Sequence, residues 1–182
     1  MEKQPRYIVN QNTVLLMREY DSYGKQCTRV IEGKDWIFVD QTPLQLLAES
    51  MNYYGTNFKG AIEGARSILG KVHMCPIMVS QVQDICLFPH KSAGHPECIW
   101  FNHQHVLNTQ PIGRHTLVEL SNGHSIKVEA RLSAFNSKKQ KAGDLRRILF
   151  ERTHTTQILY VEPKLEYIRD QKTGKLRVHN HL

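Results

Sequence analysis

The chain has 182 residues, is 40% hydrophobic and 23% charged, and carries a net charge of +7. That length supports a buried core in one domain, and the composition excludes collagen-like, low-complexity and disordered chains. No apolar run reaches the roughly 18 to 20 residues of a membrane-spanning helix, and the opening Met1-Glu2-Lys3-Gln4-Pro5-Arg6 has no apolar leader, so a cytoplasmic protein with no membrane partner is expected.

The charge is uneven. Residues 1–130 hold 12 Lys/Arg and 12 Asp/Glu, whereas residues 131–182 hold 12 Lys/Arg against 5 Asp/Glu. A neutral body with a basic end points to a polyanionic partner, nucleic acid or an anionic surface, against the plainer alternative of a solvated face. Four cysteines without an export signal read as reduced thiols.

In chain order, Tyr7–Val9 and Thr13–Met17 read as strands, followed by a turn at Asp21–Gly24. Cys27–Ile31 and Trp36–Val39 read as a strand pair joined through Gly33-Lys34. Thr42, Pro43 and Gln45 form a capping-box start for a helix that Gly55 ends. A second helix over Asn57–Leu69 is weakened by Gly60 and Gly64. Strands are predicted at Ile77–Val79, Ile85–Phe88 and Cys98–Val106. A hairpin joins His115–Leu120 to Ser125–Ala130 across Asn122-Gly123, with a type I′ turn expected. Phe135–Lys141 is polar and basic. Asp144 is placed to cap a helix over Leu145–Arg152. Two apolar runs follow, Gln157–Val161 and Leu165–Ile168, before a turn at Asp170–Gly174. The expected fold is α+β: one β-rich domain with antiparallel hairpins and two or three helices, over 1–152, with a C-terminal tail over 153–182.

Three chemistries compete. Cys75, Cys86, His90, His95, Cys98, His103 and His105 crowd one region, and His103 and His105 on one strand face could share a metal. No close cysteine pair supports a zinc site, so hydrogen-bonded histidines and buried cysteines are the competing explanation. A cysteine nucleophile has no local signature, and no phosphate loop or paired-carboxylate motif is present. The third is the basic cluster Lys138, Lys139, Lys141, Arg146, Arg147 and Arg152, opposed by Asp144 and Glu151. Six phosphate contacts would give a log affinity against log salt slope of roughly −5. Such contacts position a protein on nucleic acid, and arginine can also enter a narrow A·T minor groove.

An ordered set of short motifs then becomes recognisable. It runs from Gly24-Lys25-Gln26-Cys27 through Val30-Ile31-Glu32, Pro43-Leu44-Gln45, Tyr54-Gly55, Gly60 and Pro76-Ile77-Met78-Val79. It continues through Leu87-Phe88-Pro89, Pro96-Glu97-Cys98-Ile99-Trp100, His103-Gln104-His105-Val106 and Ser121-Asn122-Gly123 to Phe135 and Leu145-Arg146. Over residues 24–152 this resembles the competence transcription factor family, ComK. The resemblance implies a cytoplasmic transcription activator that binds paired A/T-rich boxes in double-stranded DNA upstream of DNA-uptake genes. It implies homo-oligomers with minor-groove contacts, no enzymatic activity and no cofactor or metal. It makes Cys27, Cys98, His103 and His105 structural positions, and puts Lys141 and Arg146 first among DNA-contact candidates.

The chain departs from the family in three places. Ala61-Ile62-Glu63 stands where relatives carry basic residues, and Met74-Cys75-Pro76 where they often have Lys-Pro-Pro. Ile158–Lys164 is only loosely similar to the segment through which relatives meet a Clp-protease adaptor. A paralogue that does not bind DNA, and modulates a relative by mixed oligomerisation, is therefore also expected to be tested, as is a nuclease-like use of His103 and His105.

Overall fold

The structure is a computed structural model and describes residues 3–154 and 165–180. Its frame is a six-stranded antiparallel sheet built from two meanders. The first is β1 (Thr13–Tyr20), β2 (Gln26–Glu32) and β3 (Asp35–Val39). The second is β4 (Ile77–Ser80), β5 (Ile85–Pro89) and β6 (Ile99–Asn102). The order is β3-β2-β1-β6-β5-β4, so the halves join where Leu15 faces Phe101 and Leu16 faces Trp100.

Strand alternation sends neighbouring residues to opposite faces, and both faces are buried. Leu16, Val30, Leu87 and Trp100 pack with Leu46, Leu47 and Met51 of helix α1 (Pro43–Tyr53). Leu15, Ile31, Phe88 and Phe101 pack with a second layer of later elements. That layer comprises β7 (Val106–Ile112), β8 (His115–Leu120) and β9 (Ser125–Val128) in one small sheet, together with helix α3 (Leu132–His154). Phe135 of α3 is fully buried and meets Phe88 and Phe101 edge-on, at ring distances of 5.6 and 5.3 Å. Helix α2 (Phe58–Leu69) lies against β4 and contributes Ala65 to the second core. The result is an α+β, β-rich fold.

The α1 start forms as expected: Thr42 Oγ1 accepts from the Gln45 amide at 3.3 Å, and Gln45 Oε1 accepts from the Thr42 amide at 2.9 Å. Asn57 caps α2 through the Gly60 amide at 2.7 Å. Other local expectations change. Tyr7–Val9 is no strand, because its backbone partners lie on or beside α1. Ser50 Oγ accepts from the Val9 amide at 3.0 Å, and Tyr54 Oη donates to the Val9 carbonyl at 2.9 Å. The strand expected over Cys98–Val106 breaks at a 3₁₀ turn, His103–His105, whose Asn102 carboxamide accepts from the Gln104 amide.

The β8–β9 pairing is as expected, but the turn is not type I′. That type needs positive φ at both central residues, and Gly123 (φ 83°) has it while Asn122 does not. The hydrogen bonds from the Gly123 amide to Leu120 O and from the Leu120 amide to His124 O describe a three-residue loop with glycine in the left-handed position. Asp144 does not start a helix; it lies inside α3, which begins at Leu132. Beyond α3, β10 (Leu165–Arg169) and β11 (Leu176–Asn180) pair across the Asp170–Gly174 turn. The run Gln157–Val161 and the segment Ile158–Lys164 lie outside the described residues.

Candidate nucleic-acid interface

Helix α3 carries all six cations of the basic cluster, and its packing decides where each one points. Phe135, Ala142 and Leu145 are buried and Leu149 packs beside them, so one stripe faces the core. With 3.6 residues per turn, the cations fall on both sides of that stripe. Lys141 and Arg152 lie on the flank toward α2, while Lys138 falls on the core-facing stripe itself and reaches the His90 carbonyl. Lys139, Arg146 and Arg147 lie on the flank toward His103. The structure therefore does not gather the six on one surface.

Arg146 is turned inward. Its Nε donates to Asp84 Oδ1 at 2.8 Å, its Nη2 donates to Asp84 Oδ2, and its Nη1 donates to His103 Nδ1 at 2.8 Å. The guanidinium holds the Asp84 carboxyl below its usual range, and burial pushes the His103 imidazole down to about 4. Asp84 itself stands at φ 56°, a left-handed conformation that aspartate tolerates better than most residues. Gly143 completes the arrangement. A Cβ there would stand 3.0 Å from His103 Nε2, so the glycine lets the imidazole lie against the helix. Arg146 thus ties α3 to the β4–β5 turn, and its charge is already compensated.

Arg147 is exposed but paired with Glu151 at 3.0 Å and lies 4.0 Å from Asp144. Lys138 is half-buried; its Nζ donates to the His90 carbonyl at 2.5 Å, and burial lowers its pKa. Burial lowers Lys139 as well. Lys141 and Arg152 make no ion pair among the described residues, and Arg152 is exposed.

The α2 flank gains cations that the sequence reading did not include. Cys75 is buried, and the charges acting on its thiol are Arg66 and Lys141, from different helices. Lys138 in turn feels Lys141. Lys71 and His73 are exposed in the loop between the end of α2 and Cys75. Arg66 of α2 and Lys141 of α3 thus stand on the same side of the molecule, around Cys75. Charge counting hid Arg66 because residues 1–130 sum to neutrality, and only the fold brings it near Lys141 of α3.

The histidine pair does not form a shared ligand set. The 3₁₀ turn sends His103 to Arg146. His105 goes elsewhere: Nε2 donates to the Gln11 carbonyl at 2.7 Å and Nδ1 accepts from Ser121 Oγ. Among the described residues, no three His, Cys, Asp or Glu side chains stand together as a metal site. All four cysteines are buried and free, and burial raises Cys98 to about 11 and Cys86 to about 12, which makes them poor nucleophiles.

No described helix is long and apolar enough to cross a membrane. No solved structure matches the chain significantly. The competence transcription factor of Bacillus subtilis (strain 168) is 32% identical over 141 residues, which are 77% of this chain and 73% of that relative. The family model described as ComK protein matches residues 4–154, from the first sheet contact to the last residue of α3, and the chain belongs to the ComK family.

Proposed function

We propose that this protein is a DNA-binding transcription activator that recognises A/T-rich promoter boxes, those of DNA-uptake genes foremost, and acts as a homo-oligomer without catalysis. The name of the Bacillus subtilis relative supports the regulatory role. The carrying observation is that Arg66 of α2 and Lys141 of α3 both act on the buried Cys75, with the exposed Lys71 in the loop that follows α2. Cations brought together from separate elements offer a phosphate-binding surface of fixed shape. Arg152 extends it along the same flank, about 16 Å beyond Lys141 at 1.5 Å per residue. Residues 1–152 supply this function. The chain beyond is a regulatory tail, with contact to a Clp-protease adaptor as its proposed role.

The test is a footprint of the purified protein on A/T-box DNA across a salt series. Four contacts, from Arg66, Lys71, Lys141 and Arg152, give a slope near −3.6 where six would give roughly −5. Replacing Arg66 and Lys141 together by Ala makes the slope shallower by about 1.8. No protection at low salt, or an unchanged slope in the double variant, overturns the assignment. The mixed-oligomer reading has one observation in its favour. The residues at the family's basic positions on α2 include Glu63, which is exposed and lies 3.9 Å from Lys59. Protection by the protein alone removes that reading.

A further inference from the structure

Strand β7 is laid out in solvent. Only Val106 of its seven residues is buried, although its partner β8 is anchored in the core by Val118 and Leu120. The base of this hairpin is held firmly. Thr116 Oγ1 donates to the Ala130 carbonyl and Thr109 Oγ1 to Asn136 Oδ1, each at 2.8 Å. Beyond that base, Pro111, Ile112, Gly113 and Arg114 are all exposed. Ile112 pairs with His115, so the turn is two residues long, with Gly113 at φ 60° and Arg114 outside the left-handed region. That is the type II′ pattern, and it puts Arg114 at the apex of a two-stranded ribbon.

The apex combines a cation with apolar surface. Arg114 makes no ion pair or side-chain hydrogen bond among the described residues. The acidic groups near the ribbon are engaged elsewhere: Glu129 holds Lys91 at 2.7 Å, and Glu119 accepts from Gln110 at 2.9 Å. Ile112 is 43% exposed, with Pro111 exposed beside it. An added strand from a protein partner is a poor occupant. The residues that flank a two-residue turn bond to each other, so at the next pair, Pro111 and Thr116, the backbone groups point away from the partner strand. Pro111 therefore takes a donor off the free edge of β7. A groove of duplex DNA suits what remains. A guanidinium is drawn to the negative potential that deepens where the minor groove narrows over A·T pairs. Isoleucine and proline are among the side chains that wedge between base steps from that groove.

We propose that the β7–β8 hairpin is a DNA-reading arm whose Arg114 and Ile112 enter the minor groove of an A/T box. It rests on the DNA reading of the proposed function and adds a groove contact to the phosphate contacts of Arg66 and Lys141. Binding is measured with the full chain on a duplex carrying A/T boxes and on the same duplex with the boxes exchanged for G·C pairs. Arg114→Ala should weaken binding to the A/T duplex at least about tenfold and leave the G·C duplex within about twofold. Ile112→Thr keeps strand propensity and should weaken the A/T complex about fourfold, the worth of one buried methylene. Neither variant should shift the thermal midpoint, because neither side chain is packed. Gln110→Cys gives a direct reading of position. The four native cysteines are buried, so an iron chelate attached to the new thiol sits on the arm. Its radicals should cut within the A/T box, with the cuts on the two strands offset toward the 3′ side, the signature of the minor groove. Cuts offset to the 5′ side, or no cuts in a complex that gives a footprint, overturn the proposal. So does an Arg114→Ala protein with the wild-type preference for A/T, which leaves the tip to a protein partner. A wild type that protects neither duplex defeats the proposed function and the arm with it, whereas protection that survives Arg114→Ala unchanged defeats only the arm.

Discussion

Replacing Arg146 by Met tests whether this residue meets DNA or holds the fold. Methionine keeps the buried stem and removes the guanidinium. The Arg146 side chain is 21% exposed and that of Asp84 44%, so the pair is half-buried. Charge-assisted bonds of this kind are worth about 1.5–3 kcal/mol, and breaking a fully buried pair costs about 3–5 kcal/mol. Asp84 can rehydrate because nearly half of it is in solvent, which brings the expected loss to about 2 kcal/mol. In a chain of this size that lowers the thermal midpoint by about 4–8 °C. The assay pairs thermal unfolding with DNA binding across a salt series, and Lys141→Ala is the control. Arg146→Met should lose stability and bind DNA, where folded, with the wild-type salt slope. Lys141→Ala should keep its stability and flatten the slope by about 0.9. An Arg146→Met protein that melts with the wild type and yet binds DNA with a flattened slope refutes the reasoning, because the guanidinium would then be free to reach phosphate.

Two further outcomes follow from the same neighbourhood. Gly143→Ala would gain about 1 kcal/mol from helix propensity alone. Here its methyl displaces the imidazole that accepts from Arg146, so a net loss of about 1–2 kcal/mol is expected, and a raised thermal midpoint would show that His103 swings away freely. His90 is 3% exposed and burial depresses it to about 4. The unfolded chain, titrating near 6.5, then binds the extra proton between those values. Stability is therefore complete above about pH 6.5 and falls as pH drops toward 4, by about 3 kcal/mol from this group alone. Urea unfolding of wild type and His90→Gln at several pH values in that window measures it, and equal pH slopes in the two would count against the buried neutral imidazole.

Much of the frame was legible because local chemistry and tertiary structure agree. Thr42 and Gln45 mark a helix start by bonds within four residues, and the runs around Leu15, Val30 and Leu87 are strand-like by composition and alternation. Helix α3 was half legible. Its first turns carry Asn136, Ser137 and lysines with few apolar neighbours, and they are held by Phe135 reaching an aromatic cluster more than thirty residues away in sequence. Strand β7 was invisible because most of its side chains face solvent, which leaves no alternation to detect. The basic cluster was legible as charge and not as surface. Asp84 and Arg146 are 62 residues apart, and no local pattern announces that an aspartate in a tight turn will take a cation out of a run of six.

The order of strands in the large sheet has a consequence for how the chain is made. β1 and β6 are neighbours at its centre, yet more than eighty residues separate Leu15 from Phe101. During synthesis the first meander waits with an open β1 edge until residue 102 has emerged, and Leu15, which packs on the later layer, stays uncovered although α1 can already cover Leu16. Closing so long a loop is entropically slow, and the wait leaves a sticky nascent strand. Refolding from denaturant should accordingly be limited by the joining of the two halves, with helix α1 formed before the seam and the first turns of α3 formed with it.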